Sequence, residues 1–167
     1  MPTTDGIAAT IALDSREGFD YWKLKKAGDF YFIRNLKEDT HEKIPPNQFL
    51  FLDIQIWRIA EAILYCSNLC KELGLGSEDI SISIRYGGMA GRKLVMSPWT
   101  SAELSYERVC VEDLIEISIT KKAEELIPYY KDIVFDAVRG LAIMFDFFEP
   151  ARSMVESHLD RFLTSRV

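Results

Sequence analysis

From Asp53 to Leu73 the chain runs for about five helical turns without a glycine or proline, and Gly74 and Gly76 follow at once. Such a run, closed by residues that readily take up left-handed backbone, is the strongest helix signal in the sequence. Asp53 stands where it either caps the helix or places a favourable carboxylate in its first turn. At 100° per residue, Ile56, Ile59, Ala60, Ala62, Ile63, Cys66, Leu69, Cys70 and Leu73 cover well over half the circumference, more than a surface helix buries. The helix is therefore expected to be central. The stripe left for polar residues is narrow and holds Arg58, Glu61, Tyr65, Asn68 and Glu72.

A buried helix needs layers around it, and the flanking sequence supplies them. Residues 6–13 alternate, with Ile7, Ala9, Ile11 and Leu13 on one face of a predicted strand. Residues 21–25 and 30–36 read the same way, and the short link Lys25-Lys26-Ala27-Gly28-Asp29 predicts a hairpin. Residues 37–48 are polar and carry Pro45-Pro46, which predicts an exposed loop. Further on, Ile80, Ile82, Ile84 and Tyr86 alternate with Ser81, Ser83 and Arg85. Gly87-Gly88-Met89-Ala90-Gly91 then separates them from residues 92–96, predicting a second hairpin with a glycine-rich tip. Residues 109–119 add a strand, clearest at Ile115, Ile117 and Ile119.

Across residues 121–148, Leu126, Tyr130, Ile133, Val134, Ala137, Val138, Leu141, Phe145 and Phe148 recur at spacings of three and four, predicting a long amphipathic helix. Pro128 kinks or detaches its first turn. Pro150 suits the start of a last helix whose apolar face holds Val155, Leu159 and Phe162, with Met154 beside them. The expected class is α+β: one antiparallel sheet of five or six strands packed against the central helix and two C-terminal helices, in a single domain spanning residues 1–167. A domain near this length buries about 70% of its unfolded surface, so it needs no disulfide or metal staple.

Charge and cysteine usage narrow the functional classes. A formal net charge of -6 works against a duplex-binding face, which needs clustered Lys and Arg. No direct nucleic-acid partner is expected. Cys66, Cys70 and Cys110 are odd in number, and Cys66 and Cys70 lie one turn apart in an apolar stretch, where cysteine behaves as a small hydrophobe. A cytoplasmic setting fits them. The first residues lack the basic and apolar regions of a signal peptide, and no run approaches the ~18 apolar residues of a spanning helix, so no membrane partner is expected.

One segment has the composition of an anion site. In Arg85-Tyr86-Gly87-Gly88-Met89-Ala90-Gly91-Arg92-Lys93, the glycines Gly87, Gly88 and Gly91 could turn successive N–H groups into a concavity rimmed by Arg85 and Arg92. The competing reading is that the glycines serve a turn or bulge between twisted strands. Arg58, Glu61 and Tyr65 on the central helix could line a polar pocket, or form an ordinary i,i+3 ion pair on a solvated face. Around Phe145, Phe147 and Phe148, Phe147 departs from the helical seam, leaving aromatic surface either for the last helix or for another subunit or domain.

Catalytic and metal chemistry find little in the pattern. His41 lies in the polar loop and His158 on the last helix, neither with a second ligand at metal spacing nor with an evident nucleophile, so no metal, cofactor or catalytic residue is assigned. The adjacent carboxylates, such as Glu112-Asp113, read as solvating charge.

Three segments together carry a resemblance. They are Gly18-Phe19-Asp20-Tyr21-Trp22 with Phe30-Tyr31-Phe32-Ile33-Arg34-Asn35-Leu36-Lys37-Glu38-Asp39; Ile56-Trp57-Arg58-Ile59-Ala60-Glu61-Ala62-Ile63-Leu64-Tyr65; and Arg85-Tyr86-Gly87-Gly88-Met89-Ala90-Gly91-Arg92. In this order the chain resembles the C-terminal region of bacterial proteins that carry an N-terminal Schlafen-type, AlbA-like nucleic-acid- or ATP-binding domain. The resemblance implies an accessory module with the nucleotide function in the other domain, and it transfers no catalytic residue. It also implies that Met1 marks an excised module, in keeping with a strand that begins almost at once. The leading expectation is a non-enzymatic regulatory or ligand-sensing domain for an anionic small molecule. The alternatives are an interaction module, forming a homodimer or docking an N-terminal domain of the same chain, and an unrecognised enzyme.

Overall fold

The computed structural model describes residues 1–12, 18–100, 103–104 and 106–164. It is an α+β chain that divides into two compact units, residues 1–48 and 49–167. The first unit is a four-stranded antiparallel meander of β1 (Pro2–Thr3), β2 (Gly6–Ala12), β3 (Phe19–Lys25) and β4 (Phe30–Arg34), in that spatial order. The alternation of residues 6–13 is realised in β2, although Leu13 lies outside the described residues. The expected β3–β4 hairpin forms with Trp22 opposite Phe32. Its turn is closed by Lys25 N donating to Asp29 O at 2.8 Å. The stretch expected to be all loop contains one helical turn, α1 (Lys37–Thr40), which ends before the two prolines.

The second unit begins with β5 (Phe49–Phe51), which runs straight into the central helix α2 (Leu52–Glu72). Asp53 therefore sits inside the first turn, and Phe51 occupies the cap position. At the other end Gly74, with φ of 69°, lets Leu75 N reach Cys70 O at 2.9 Å and Gly74 N reach Lys71 O at 3.1 Å. That pair of bonds is the Schellman closure foreshadowed by the glycine. Burial is less even than the apolar pattern suggests. Ile56, Ile59, Ala60, Ile63 and Cys70 are buried, Ala62, Cys66 and Leu69 are half-buried, and Leu73 is exposed.

The strands expected in one sheet divide into three sheets. β6 (Asp79–Gly87) does not form a hairpin with the segment that follows it. It pairs antiparallel with β8 (Leu114–Lys122), while β7 (Lys93–Val95) pairs parallel with β5. The cause lies in residues 87–92. Gly88 and Gly91 take φ of 68° and 81°, and between them Met89 is fully buried. The chain is thus led down beside β5 instead of folding back along β6.

The predicted long helix also starts later. β8 continues to Lys122, a 3-10 turn spans Ala123–Glu125, and α3 covers only Tyr130–Ala142. Pro128 falls between the turn and the helix, so the apolar rhythm of residues 121–148 was carried by three successive elements. α4 (Arg152–Thr164) follows, burying Val155, Leu159 and Phe162 as expected, together with His158. The core of this unit is formed where α2 packs on α3 and α4 and α3 packs on β8. Each fully buried leucine or isoleucine there stabilises the fold by roughly 1.5–3 kcal/mol.

Candidate functional site

The glycine-rich segment is committed to the fold. Arg92 is only 2% exposed, and its guanidinium donates to Gly88 O at 2.7 Å and to Phe49 O at 2.9 Å. It therefore ties the loop to the start of β5. Three of the N–H groups that an anion nest would use are also occupied: Met89 N donates to Asp113 O, Gly91 N to Cys110 O and Arg92 N to Met89 O. The turn between strands, the competing reading of these glycines, describes this geometry.

Arg85 points elsewhere. It lies on the outer face of the β6–β8 ribbon, where its guanidinium donates to Glu116 Oε1 at 3.1 Å and Ser83 Oγ donates to the same oxygen at 2.8 Å. The Arg85 and Ser83 bonds hold the Glu116 carboxyl below the usual carboxylate range. On α2, Arg58 and Glu61 meet at 3.2 Å with both side chains about a third exposed, and Tyr65 and Asn68 are exposed. Arg58, Arg85 and Arg92 are thus held by separate partners on separate elements.

The aromatic segment after α3 is organised differently. Phe145 is fully buried and bridges to Cys110, so it belongs to the core and not to an interface. Asp146 and Phe147 then adopt left-handed backbone, with φ of 52° and 55°. The Asp146 carboxylate accepts from Val109 N at 3.2 Å, fixing the first of these. Phe147 is left 86% exposed.

Around it stand residues that the sequence did not single out. The Arg108 guanidinium lies 4.2 Å over the Phe148 ring and 6.0 Å from the Tyr106 ring, and Arg108 also donates to Tyr106 O at 2.9 Å. Tyr106 and Val111 are both largely exposed. A positive charge over one aromatic ring and near a second, in the segment that carries the exposed Phe147, forms an amphipathic corner.

The titratable residues elsewhere are packed or solvated. Burial, together with the neighbouring Cys70, pushes the Cys66 thiol up to about 12, and burial also raises Cys110. His158 is shifted down by burial. An open groove of about 720 Å³ runs along one side of α4, lined by Ser153, Glu156, Ser157, Asp160, Arg161 and Thr164. It contains none of the residues singled out from the sequence. Among the described residues, no three His, Cys, Asp or Glu side chains gather as a metal site, and no helix is long and apolar enough to cross a membrane. No family model, curated protein or solved structure matches the chain.

Proposed function

We propose that this chain is a non-enzymatic accessory module that docks another protein domain through the corner formed by Tyr106, Arg108, Phe147 and Phe148. The observation that carries it is Phe147: a large apolar side chain presented to solvent from left-handed backbone that a phenylalanine adopts only at a cost. Strained backbone of this kind persists where its surroundings over-determine it, here through the Asp146 bond to Val109 and the Phe145 bridge to Cys110. Aromatic residues and Arg are also the types that dominate interface hot spots. An anionic-metabolite site has less in its favour, because Arg92 is spent on carbonyl oxygens and Arg85 on Glu116.

The sequence resemblance supports placing this module beside a nucleic-acid- or ATP-binding domain, and the three free thiols suit a reducing cytoplasm. The test is a photo-crosslinking amino acid placed at position 147, compared with the same group at the exposed Glu124. A discrete adduct from 147 that is absent from 124 is the expected result. Equal or absent crosslinking at the two positions overturns the reading.

A further inference from the structure

Independently of that corner, β6 has the geometry of a second interaction surface, and we infer that its open edge pairs antiparallel with β6 of a second copy of this chain. The backbone register defines the edge. Ala123 N donates to Glu78 O at 3.0 Å, which extends the ladder by one hydrogen-bonded pair beyond Asp79 opposite Lys122. Alternate residues of an antiparallel strand point their N–H and C=O groups to opposite sides. Even-numbered residues of β6 therefore bond β8, while Asp79, Ser81, Ser83, Arg85 and Gly87 turn theirs to the other edge. Among the described residues no backbone hydrogen bond is made there.

Strands usually guard such an edge with proline, lysine or a bulge. The nine residues of β6 contain no proline or lysine, and the pairing with β8 runs without a bulge. β8, by contrast, has Lys121 and Lys122 at its end, and its Lys122 N–H is taken by the Glu125 carboxylate at 3.2 Å.

Charge selects the occupant. Asp79 and Arg85 lie on the same outer face near opposite ends of β6, and although each faces an opposite charge on β8, Lys122 at 3.9 Å and Glu116 at 3.1 Å, their side chains stay 76% and 66% exposed. An antiparallel second copy centred on Ile82 brings Asp79 opposite Arg85 of that copy and Arg85 opposite its Asp79, with Ser81 opposite Ser83 between them. A parallel copy in register would set like charges side by side. In the antiparallel register the outward-turned residues face one another, so each pair exchanges its N–H···O=C bonds. On the inner face, Ile80 meets Ile84 and Ile82 meets Ile82. These isoleucines are half-buried, whereas Ile115 and Ile117 on β8 are already buried. The part of that face still open is the part a second β6 covers.

The test is sedimentation of the intact chain over a concentration series, with hydrogen exchange read at single amides. The expected result is a monomer–dimer equilibrium in which the Ser81, Ser83 and Arg85 amides gain protection as the dimer forms. Ser83→Pro, which removes an outward N–H and leaves the backbone ladder to β8 in place, losing on that side only the Ser83 hydroxyl bond to Glu116, shifts the chain to monomer. Ser83→Ala, which loses that same hydroxyl bond but keeps the N–H, does not. Asp79→Arg and Arg85→Asp each weaken self-association about fivefold or more, and mixing the two variant chains restores it. The mixed pair sets the introduced arginine of one chain opposite the introduced aspartate of the other, and the native Arg85 opposite the native Asp79, while each chain keeps the same internal contacts to β8 that it has alone. A wild-type chain that stays monomeric throughout, a dimer with those amides unprotected, or a mixture of the two variants that associates no better than either alone overturns the inference.

Discussion

Asp53 and Ser97, separated by 44 residues, are joined by two hydrogen bonds, from Ser97 N to Asp53 Oδ1 at 2.8 Å and from Ser97 Oγ to Asp53 Oδ2 at 2.5 Å. Both residues are buried. The carboxylate therefore does two things: it complements the positive end of α2 and fixes the chain leaving β7 against the helix that follows β5.

Asp53→Ala leaves a buried N–H and a buried hydroxyl without their acceptor, so it should destabilise the fold by roughly 3 kcal/mol, whereas Ser97→Ala, which keeps the N–H bond, should cost about 1 kcal/mol. Urea unfolding of both single variants and the double variant measures this. Strict additivity would show that the two residues do not act as a pair.

Arg92 makes a contrasting prediction to Arg85. Truncating Arg92 to Ala strands two carbonyl oxygens and empties a buried volume, for a loss of about 3 kcal/mol. Arg85→Ala removes one exposed ion pair and should stay within about 0.5 kcal/mol of wild type. Thermal unfolding separates them. Equal, small effects would return Arg92 to the list of residues available to a ligand.

What could be read from sequence was local. The limits of α2 were legible because a helix closes through its own neighbours: Gly74 and the Leu75-to-Cys70 bond lie within one turn. Likewise the β3–β4 hairpin announced itself through Gly28. The pairing of β6 was not legible, because Ile84 meets Ile117 across 33 residues and its alternation fits a hairpin with residues 92–96 equally well. β5, three residues long, is too short to show a period at all. In the corner, Phe147 departed visibly from the seam, but Arg108 and Tyr106 are brought to that segment by the Cys110–Phe145 bridge, the Val109 bond to Asp146 and the Arg108 contact with Phe148, none of which has a sequence signal.

Cys66 and Cys70 should behave as core atoms despite their ligand-like spacing. With its thiol pushed up to about 12 by burial and by Cys70, Cys66 carries little thiolate at pH 8. Alkylation in the native protein should then be at least about tenfold slower than for a free thiol. Mass spectrometry of timed iodoacetamide labelling measures the rate at each cysteine. Rapid modification of Cys66 before unfolding would contradict its packing.

His158 gives a pH dependence whose sign can be worked out. Its folded-state value is lowered from the ordinary 6.5, first by burial; the Asp53 carboxylate opposes that shift and Arg161 adds to it. The unfolded chain consequently binds the proton more readily, and stability rises with pH wherever the unfolded state holds more protons. This contribution is complete above about pH 6.5 and is lost as pH falls toward the folded value. His158→Gln removes the slope. Unfolding midpoints compared between about pH 5 and pH 7 test it, and an unchanged slope in the variant rules His158 out as its source.

Phe147 sets stability against association within one side chain. Left-handed backbone costs a non-glycine residue roughly 1–2 kcal/mol, and at 86% exposure the phenyl ring recovers little of that through burial. Phe147→Gly removes the strain, though the flexible unfolded chain offsets part of the gain, so a net stabilisation of about 1 kcal/mol is expected by urea unfolding. Asp146 is left intact to hold Val109. The same variant should lose the partner contact that crosslinking reads at this position, measured by a crosslinker moved to the exposed Val111, which is not one of the corner's four residues. A variant both more stable and unable to dock would mean that the ring is retained for its partner. If Phe147→Gly is instead less stable than wild type, the ring is packed in the working protein and the corner is not a docking surface.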